Sequence, residues 1–373
     1  MPSTAASRPG RVEAAEAIDP AGFRDGAVLL MSDDLHTLIV GRDAMACRFE
    51  VAFNAGEVPG DTELAVAALD LVDGIEERFS IYRESSELSR INALAAAGWV
   101  PVSAEVYDLL ATARELHART RGAFDIAAGS IVRAWGFLRR QGRTPVAAEL
   151  EAAIARCGMQ WVELDEVDRR VRFLRPGVEL NPGAIGKGWA IDRVLDHLAA
   201  AGVPSVLVHG GQSSVRGRGT QGPAAEGRHG WRVGLRHPLR PSRRLATITL
   251  DDRALGTSGS GTQFFIDRGR KLGHILDPRT GLPAEGVISA TVLAPTAAAA
   301  DALSTALYVL GPAGLPLIAP PGGPVAAILV LPGAAGAIRV VVANLDDHTV
   351  AIEPETGLDI ERIGGPPDDP VAS

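Results

Sequence analysis

Two neighbouring stretches of the 373-residue chain hold the residue types best suited to chemistry. Gly273-His274-Ile275-Leu276-Asp277-Pro278-Arg279-Thr280-Gly281-Leu282-Pro283 reads as a rigid polar turn. Thr296 to Gly311 reads as a helix, with Thr296 as N-cap, Gly311 and Pro312 as the stop, and Leu303, Ala306, Leu307 and Leu310 as its apolar stripe. That helix carries one carboxylate, Asp301, and Thr305 stands four residues on, on the same side. No Lys, Arg or His occurs between Arg279 and Arg339. A carboxylate among alanines and leucines is costly to bury unless positive charge meets it. Three partners are open: solvent on an outward helix side, a distant Arg, or a hydrated divalent cation. The cation suits the hard oxygens of Asp301 and the Thr305 hydroxyl.

A third stretch, Asn181-Pro182-Gly183-Ala184-Ile185-Gly186-Lys187-Gly188, leads straight into a helix. Close glycines let a ligand approach the backbone, and a helix N-terminus with a Lys favours phosphate. A solvated Lys at an ordinary helix start is the plain alternative. Tyr82 and Phe124 offer aromatic faces, or ordinary core packing. The Gly259-Ser260-Gly261 turn could face an anion with its amides or be a simple tight turn. Gly217-x-Gly219-x-x-Gly222 has dinucleotide-fingerprint spacing but opens no apolar helix, so it reads as loop glycines. A Walker A pattern is absent, and Gly256-Thr257-Ser258-Gly259-Ser260 does not complete a nucleophile elbow.

The elements that must position these residues follow from periodicity. Leu38 to Phe53 alternates as one or two strands. Helices are expected over Asp61 to Phe79, over Ala104 to Arg119 behind a Ser103 cap, around Val132 to Phe137, over Glu149 to Cys157, and over Ala184 to Ala201. Trp161 to Leu164 and Val171 to Leu174 suggest a hairpin. Ser205 to Val208 is a buried strand ending in Gly210-Gly211, and Ser213 to Gly230 a surface loop. Further strands are expected over Trp231 to Leu235, Leu245 to Leu250, Val287 to Leu293, Val325 to Leu331 and Ile338 to Ala343. Helices and strands intermix without regular βαβ alternation, so the expected fold class is α+β. The expected organisation is a loosely ordered leader over 1–35, one domain over 36–352, and a frayed tail over 353–373.

Hydrophobic residues make up 46% and charged residues 22%, an ordinary globular balance. A net charge of -8 argues against nonspecific nucleic-acid binding. Cys47 and Cys157 alone build neither a disulfide framework nor a zinc site. The first 34 residues lack the pattern of a signal peptide and contain no cysteine for a lipid anchor. No membrane span is expected, and the expected compartment is the cytoplasm, with export as the alternative.

Taken in order, the pieces resemble one family, the ApbE-like FAD:protein FMN transferases. The matching segments are Met45-Ala46-Cys47, Phe79 to Asn92, Gly122-Ala123-Phe124-Asp125 with Trp135-Gly136-Phe137, Gly183 to Asp192, and Gly210-Gly211. They continue with Trp231 to Leu235 and Pro238, Thr257-Ser258-Gly259, His274 to Pro283, and Ala300 to Thr305. They span about Val40 to Gly311, and the His274 turn and the Asp301 helix are the most specific.

The resemblance implies a mixed or antiparallel sheet with packed helices around a single FAD cleft. It implies a magnesium-dependent reaction in which FMN passes from FAD to a Ser or Thr hydroxyl of an acceptor protein and AMP leaves. It places the metal on the Ala184 carbonyl, Asp301 and Thr305. Flavin and adenosine contacts would fall on Met45, Tyr82, Ala123, Phe124, Asp125, Asn181, Lys187 and Ile275, and His274 would be the base. The alternatives are an FAD pyrophosphatase giving FMN and AMP, or a non-catalytic FAD-binding protein. Four departures stand out: Ala46 and Cys47 for the usual Gly-Thr, Gln212 for an Asp, Asn181 for a carboxylate, and Ser260 to Gln263 for a more acidic run. They leave Asp301, Thr305 and His274 intact and bear on FAD affinity and acceptor choice.

Overall fold

The computed structural model describes residues 37–139, 141–222, 229–259, 261, 263–355 and 358–364, and the backbone of 28–30. The N-terminal half contains β1 (Val28–Leu30), β2 (Thr37–Ala44), β3 (Cys47–Asn54), α1 (Asp61–Phe79), α2 (Glu87–Leu94), β4 (Val100–Pro101) and α3 (Ala104–Arg119). Then come α4 (Gly129–Ala134), α5 (Ala147–Ile154), β5 (Val162–Asp165), β6 (Arg170–Phe173) and α6 (Gly186–Ala200). Next are β7 (Val206–Gly210), β8 (Ser214–Arg218), β9 (Trp231–Arg236), β10 (Arg244–Leu250), β11 (Ala254–Gly259), β12 (Phe264–Asp267), β13 (Arg270–Gly273) and β14 (Ser289–Ala294). The chain ends with α7 (Ala297–Leu310), α8 (Leu315–Ile318), β15 (Ala326–Pro332), β16 (Ile338–Ala343), β17 (Val350–Ile352) and β18 (Leu358–Ile363).

A nine-stranded sheet, ordered β18-β16-β15-β14-β11-β8-β7-β3-β2, is the backbone of the molecule, and β16–β18 is its one parallel pair. Both of its faces are covered, so its strands alternate between two apolar environments. Ala327, Leu329 and Leu331 face the helices, whereas Ala326, Ile328 and Val330 face a four-stranded sheet ordered β1-β9-β10-β17. Trp231, Val233, Leu235 and Ile248 of that smaller sheet close the second core. The outcome is the expected α+β class in three layers: helices, large sheet, small sheet.

Helix α7 lies against β11, β14 and α6. Glycine is required at two of these contacts: a Cβ at Gly188 would stand 2.2 Å from the Ala297 carbonyl oxygen, and one at Gly256 would stand 2.5 Å from the Ala300 carbonyl oxygen. The start of α7 is capped twice. Thr296 Oγ1 accepts from the Ala299 amide at 3.3 Å, and the buried Asp192 carboxylate of α6 accepts from the Ala297 and Ala298 amides at 2.8 and 2.9 Å. Residues 297–318 are by length and hydropathy apolar enough to cross a membrane. Here they turn at Gly311 into α8, and most of their side chains are buried in the main core.

Several expectations need correction. The segment Ser213 to Gly230, expected as a loop, contributes β8, a central strand whose Arg216 reaches Asp192 at 2.9 Å and Asp196 at 3.0 Å; Gly217 lies in that strand. The tail from Glu353, expected to fray, supplies β18, tied to β16 along the backbone and by an Arg339–Glu361 ion pair. Of the leader, Val28–Leu30 pairs with β9, and the rest lies outside the described residues. The short helix expected around Val132 to Phe137 runs over Gly129–Ala134, and the one expected over Glu149 to Cys157 runs over Ala147–Ile154. Ser260 of the anticipated anion-facing turn lies outside the described residues.

Candidate active site

The residues singled out above converge on one cleft of two adjoining hollows. The larger, about 430 Å³, is bordered by Tyr82, Ala123, Phe124, Asp125, Asn181, Ala184, Lys187, His274, Ile275, Asp301 and Thr305. The smaller, about 260 Å³, is bordered by Met45 and shares Tyr82, Asn181, Gly183 and Lys187 with the first. Every expected site residue therefore borders the cleft.

Local structure explains the convergence. Asn92 of α2 grips the segment before α6, donating to the Leu180 carbonyl at 3.0 Å and accepting the Leu180 amide at 2.8 Å. The Asn181 amide donates to the Ile126 carbonyl at 2.7 Å, which brings Ala123 to Asp125 beside Asn181. Asn181 Oδ1 accepts the Gly183 amide at 3.0 Å and shapes the turn into α6. The turn Met45-Ala46 joins β2 to β3 with φ of 50° and 59°, and Glu76 of α1 accepts the Met45 amide at 2.8 Å.

Asp301 is 4% exposed and meets positive charge from α6, not from an Arg: Lys187 Nζ lies 3.4 Å from both of its carboxylate oxygens. Ser214 Oγ donates to Oδ1 at 3.1 Å and the Gly188 amide to Oδ2 at 3.3 Å. All of these contacts are long for charge-assisted hydrogen bonds. Because the Gly188 amide goes to Asp301, no amide among the described residues closes on the Ala184 carbonyl at the start of α6. Thr305 Oγ1 donates to the Asp301 carbonyl at 3.2 Å and lies 3.1 Å from Ser258 Oγ.

No group of three His, Cys, Asp or Glu side chains gathers among the described residues. The available donor set is one carboxylate, one hydroxyl and one uncommitted carbonyl, all hard oxygens. That set fits a magnesium-type ion that keeps much of its hydration, and it does not fit zinc.

His274 follows β13 directly. Its Nδ1 lies 3.1 Å from the Gln263 carbonyl oxygen, and an oxygen of that kind only accepts. Nδ1 therefore carries the proton and Nε2 carries a free lone pair. Burial, with the Lys187 charge adding to it, lowers the pKa of the ring below its ordinary value and so favours the neutral form. The following turn is rigid. The Asp277 carbonyl accepts from Gly281 at 2.8 Å, Asp277 pairs with Arg279 at 2.8 Å, and Trp135 Nε1 donates to the Gly281 carbonyl at 2.7 Å.

Two expected contacts take a different form. The Asp125 carboxylate faces inward, accepting the Ala127 amide at 2.8 Å and the Met159 amide at 3.1 Å. His117 Nδ1 stands 3.0 Å from it outside good hydrogen-bond alignment, and this contact still raises the imidazole pKa. Asp125 thus shapes the wall with its carboxylate committed to the fold. Phe124 is a buried core residue that also borders the cavity, while Tyr82 is 73% exposed at the junction of the hollows. Sequence reasoning missed Ser214 because its strand was taken for a loop. Gln263 gave no signal, since only its backbone carbonyl is used.

A family model described as the ApbE family matches residues 45–329. The chain belongs to the ApbE family. An FAD:protein FMN transferase from Salmonella typhimurium is 33% identical over 259 residues, covering 67% of this chain and 71% of that one. Among solved structures, the apo flavinyl transferase ApbE of Pseudomonas stutzeri superposes with a TM-score of 0.74 at 29% identity, covering 84% of this chain and 97% of that one. The ApbE protein of Thermotoga maritima gives 0.72 at 30% identity, with 81% and 96% covered. As an ApbE chain, this one carries Gln212 in a left-handed turn at φ 56°, its Oε1 accepting from Arg236 at 3.4 Å. Its Cys47 thiol is pushed up to about 11 by burial and is not a nucleophile at neutral pH.

Proposed function

We propose that this chain is an FAD:protein FMN transferase that moves FMN from FAD to a Ser or Thr hydroxyl of an acceptor protein and releases AMP. The observation that carries this reading is the geometry of His274, whose Nδ1 is held by the Gln263 carbonyl so that Nε2 keeps its lone pair, in the same cavity as Asp301 and Thr305. The acceptor hydroxyl gives its proton to His274 Nε2 as its oxygen attacks the FMN phosphorus. The bond from that phosphorus to the bridging oxygen breaks, and AMP leaves with the electron pair. The positive end of α6 and the Lys187 charge orient the pyrophosphate. Tyr82, Met45, Ala123, Phe124 and Ile275 supply apolar and aromatic surface to flavin and adenosine, and Asn181 holds the turn beneath them. A magnesium ion held by Asp301, Thr305 and the Ala184 carbonyl would neutralise charge on the phosphates and on the departing AMP.

The test is incubation with FAD, Mg²⁺ and an extract of the source cells lacking this chain, followed by intact-mass measurement of labelled proteins. A covalent FMN adduct on a protein, with one AMP per adduct, is expected. AMP release at the same rate without any acceptor overturns transfer in favour of hydrolysis. FAD binding with no AMP at all leaves only a binding protein.

A further inference from the structure

We propose that the outer face of the β12–β13 hairpin is the docking surface for the acceptor protein, and that it takes a segment carrying apolar and acidic side chains beside the accepting hydroxyl. This rests on the transfer reading above. Among the described residues the hairpin belongs to neither the nine-stranded nor the four-stranded sheet, and β12 and β13 pair only with each other. Its inner face is anchored. Phe265 packs against Trp135 and Phe137 with ring centroids 6.2 and 5.7 Å apart, Leu272 is buried, and Thr144 Oγ1 donates to Asp267 at 2.8 Å. Strand alternation then turns Phe264, Ile266 and Lys271 the other way. Phe264 is 43% and Ile266 69% exposed, and Lys271 Nζ sits 4.1 Å from the Phe264 ring centroid. Isolated exposed apolar residues are ordinary, but here two share one face of a braced hairpin at the edge of the reaction site.

Position makes the assignment. Phe264 lies opposite Gly273, the residue before His274, and Ile266 is only about 7 Å further along the strand. A hydroxyl that reaches His274 belongs to a chain that must pass over neighbouring surface, and this face adjoins it. Charge narrows the partner. Arg268 and Lys271 have no ion-pair partner among the described residues, whereas Arg270 is paired with Glu285. With these two charges the face is basic as well as apolar, which complements acidic residues on the partner.

The test uses the full chain, FAD and Mg²⁺ with a dilution series of extract from source cells lacking this chain, reading flavin fluorescence in protein bands. Ile266→Asp and, separately, Phe264→Ser are compared with wild type, with Leu239→Asp as an exposed apolar control. Both hairpin variants are expected to bind FAD as wild type does, to label at least tenfold more slowly in dilute extract, and to recover as the extract is concentrated. Lys271→Glu should slow labelling in the same concentration-dependent way and more strongly at low salt, and Leu239→Asp should be unchanged. Wild-type labelling rates at every dilution for the hairpin variants overturn the proposal, as does a matching loss of FAD affinity, which would make the face a support of the cleft. If wild type splits FAD but labels no protein, the transfer reading fails and the docking surface falls with it.

Discussion

The base role proposed for His274 requires a neutral ring, and the groups around it bear on that state. Burial and Lys187 lower its pKa, so transfer should climb as pH rises through a value below 6.5 and be flat from neutral pH upward. His274→Asn should lose about 10²–10⁴-fold in single-turnover transfer while keeping FAD affinity, and the acid limb should vanish with the imidazole. Equal losses in binding and transfer would assign the ring to holding the Gln263 loop. At this scale the sequence was informative wherever a residue was chemically out of place. Asp301 among alanines and Lys187 at a glycine-rich helix start each pointed to the cleft, but their pairing across 114 positions is tertiary and was not legible. Asp125 shows the opposite limit: the resemblance implied a ligand contact, while the orientation of its carboxylate depends on the Ala127 and Met159 amides.

Among elements, helices were the most legible. The ranges Asp61–Phe79 and Ala104–Arg119 match the sequence expectation because amphipathic spacing and the Ser103 cap are local signals. Strand β8 was hidden because Arg216 and Arg218 made it look solvated, although Arg216 is consumed by the Asp192–Asp196 pair. The packing of α7 against β11 predicts that Gly256→Ala destabilises the protein by about 1–3 kcal/mol, since the new methyl meets backbone that cannot rotate away. Urea unfolding measures the loss. Ala46 supplies a prediction of opposite sign. A left-handed alanine at φ 59° costs on the order of 1 kcal/mol, so Ala46→Gly should raise stability by about that amount. An unchanged or lower unfolding midpoint would show that the turn is not strained.

On the scale of the whole molecule, the three-layer arrangement was legible as a class but not as a topology. Val325 to Leu331 and Ile338 to Ala343 announced buried strands. Nothing local announced that the chain would cross to the small sheet through β17 and return as β18 to lie parallel beside β16. Cross-strand polar pairs also tune this sheet. Burial raises the Glu50 pKa, but the hydrogen bond from His209 on the neighbouring strand and the nearby Arg48 outweigh it and hold the group at about 2. A depressed carboxylate pKa contributes stability that is present above the unfolded value of about 4.5 and is lost as pH falls toward 2. Glu50→Gln should therefore flatten the fall in unfolding free energy between pH 5.5 and pH 3, measured by urea titration. A variant as acid-sensitive as wild type would place the sensitivity elsewhere.

The hairpin of β12 and β13 stands outside the nine-stranded and four-stranded sheets and is held by the packing of Phe265 on Trp135 and Phe137, the buried Leu272 and the Thr144–Asp267 hydrogen bond. Mutations on its outward face are thereby insulated from the helices that carry Asp301 and Lys187. Descendants of this chain can drift in whom they modify while the chemistry stays fixed, much as a tool keeps its motor and changes its bit. Exchanging Phe264 to Lys271 between two members of the family would then exchange their clients.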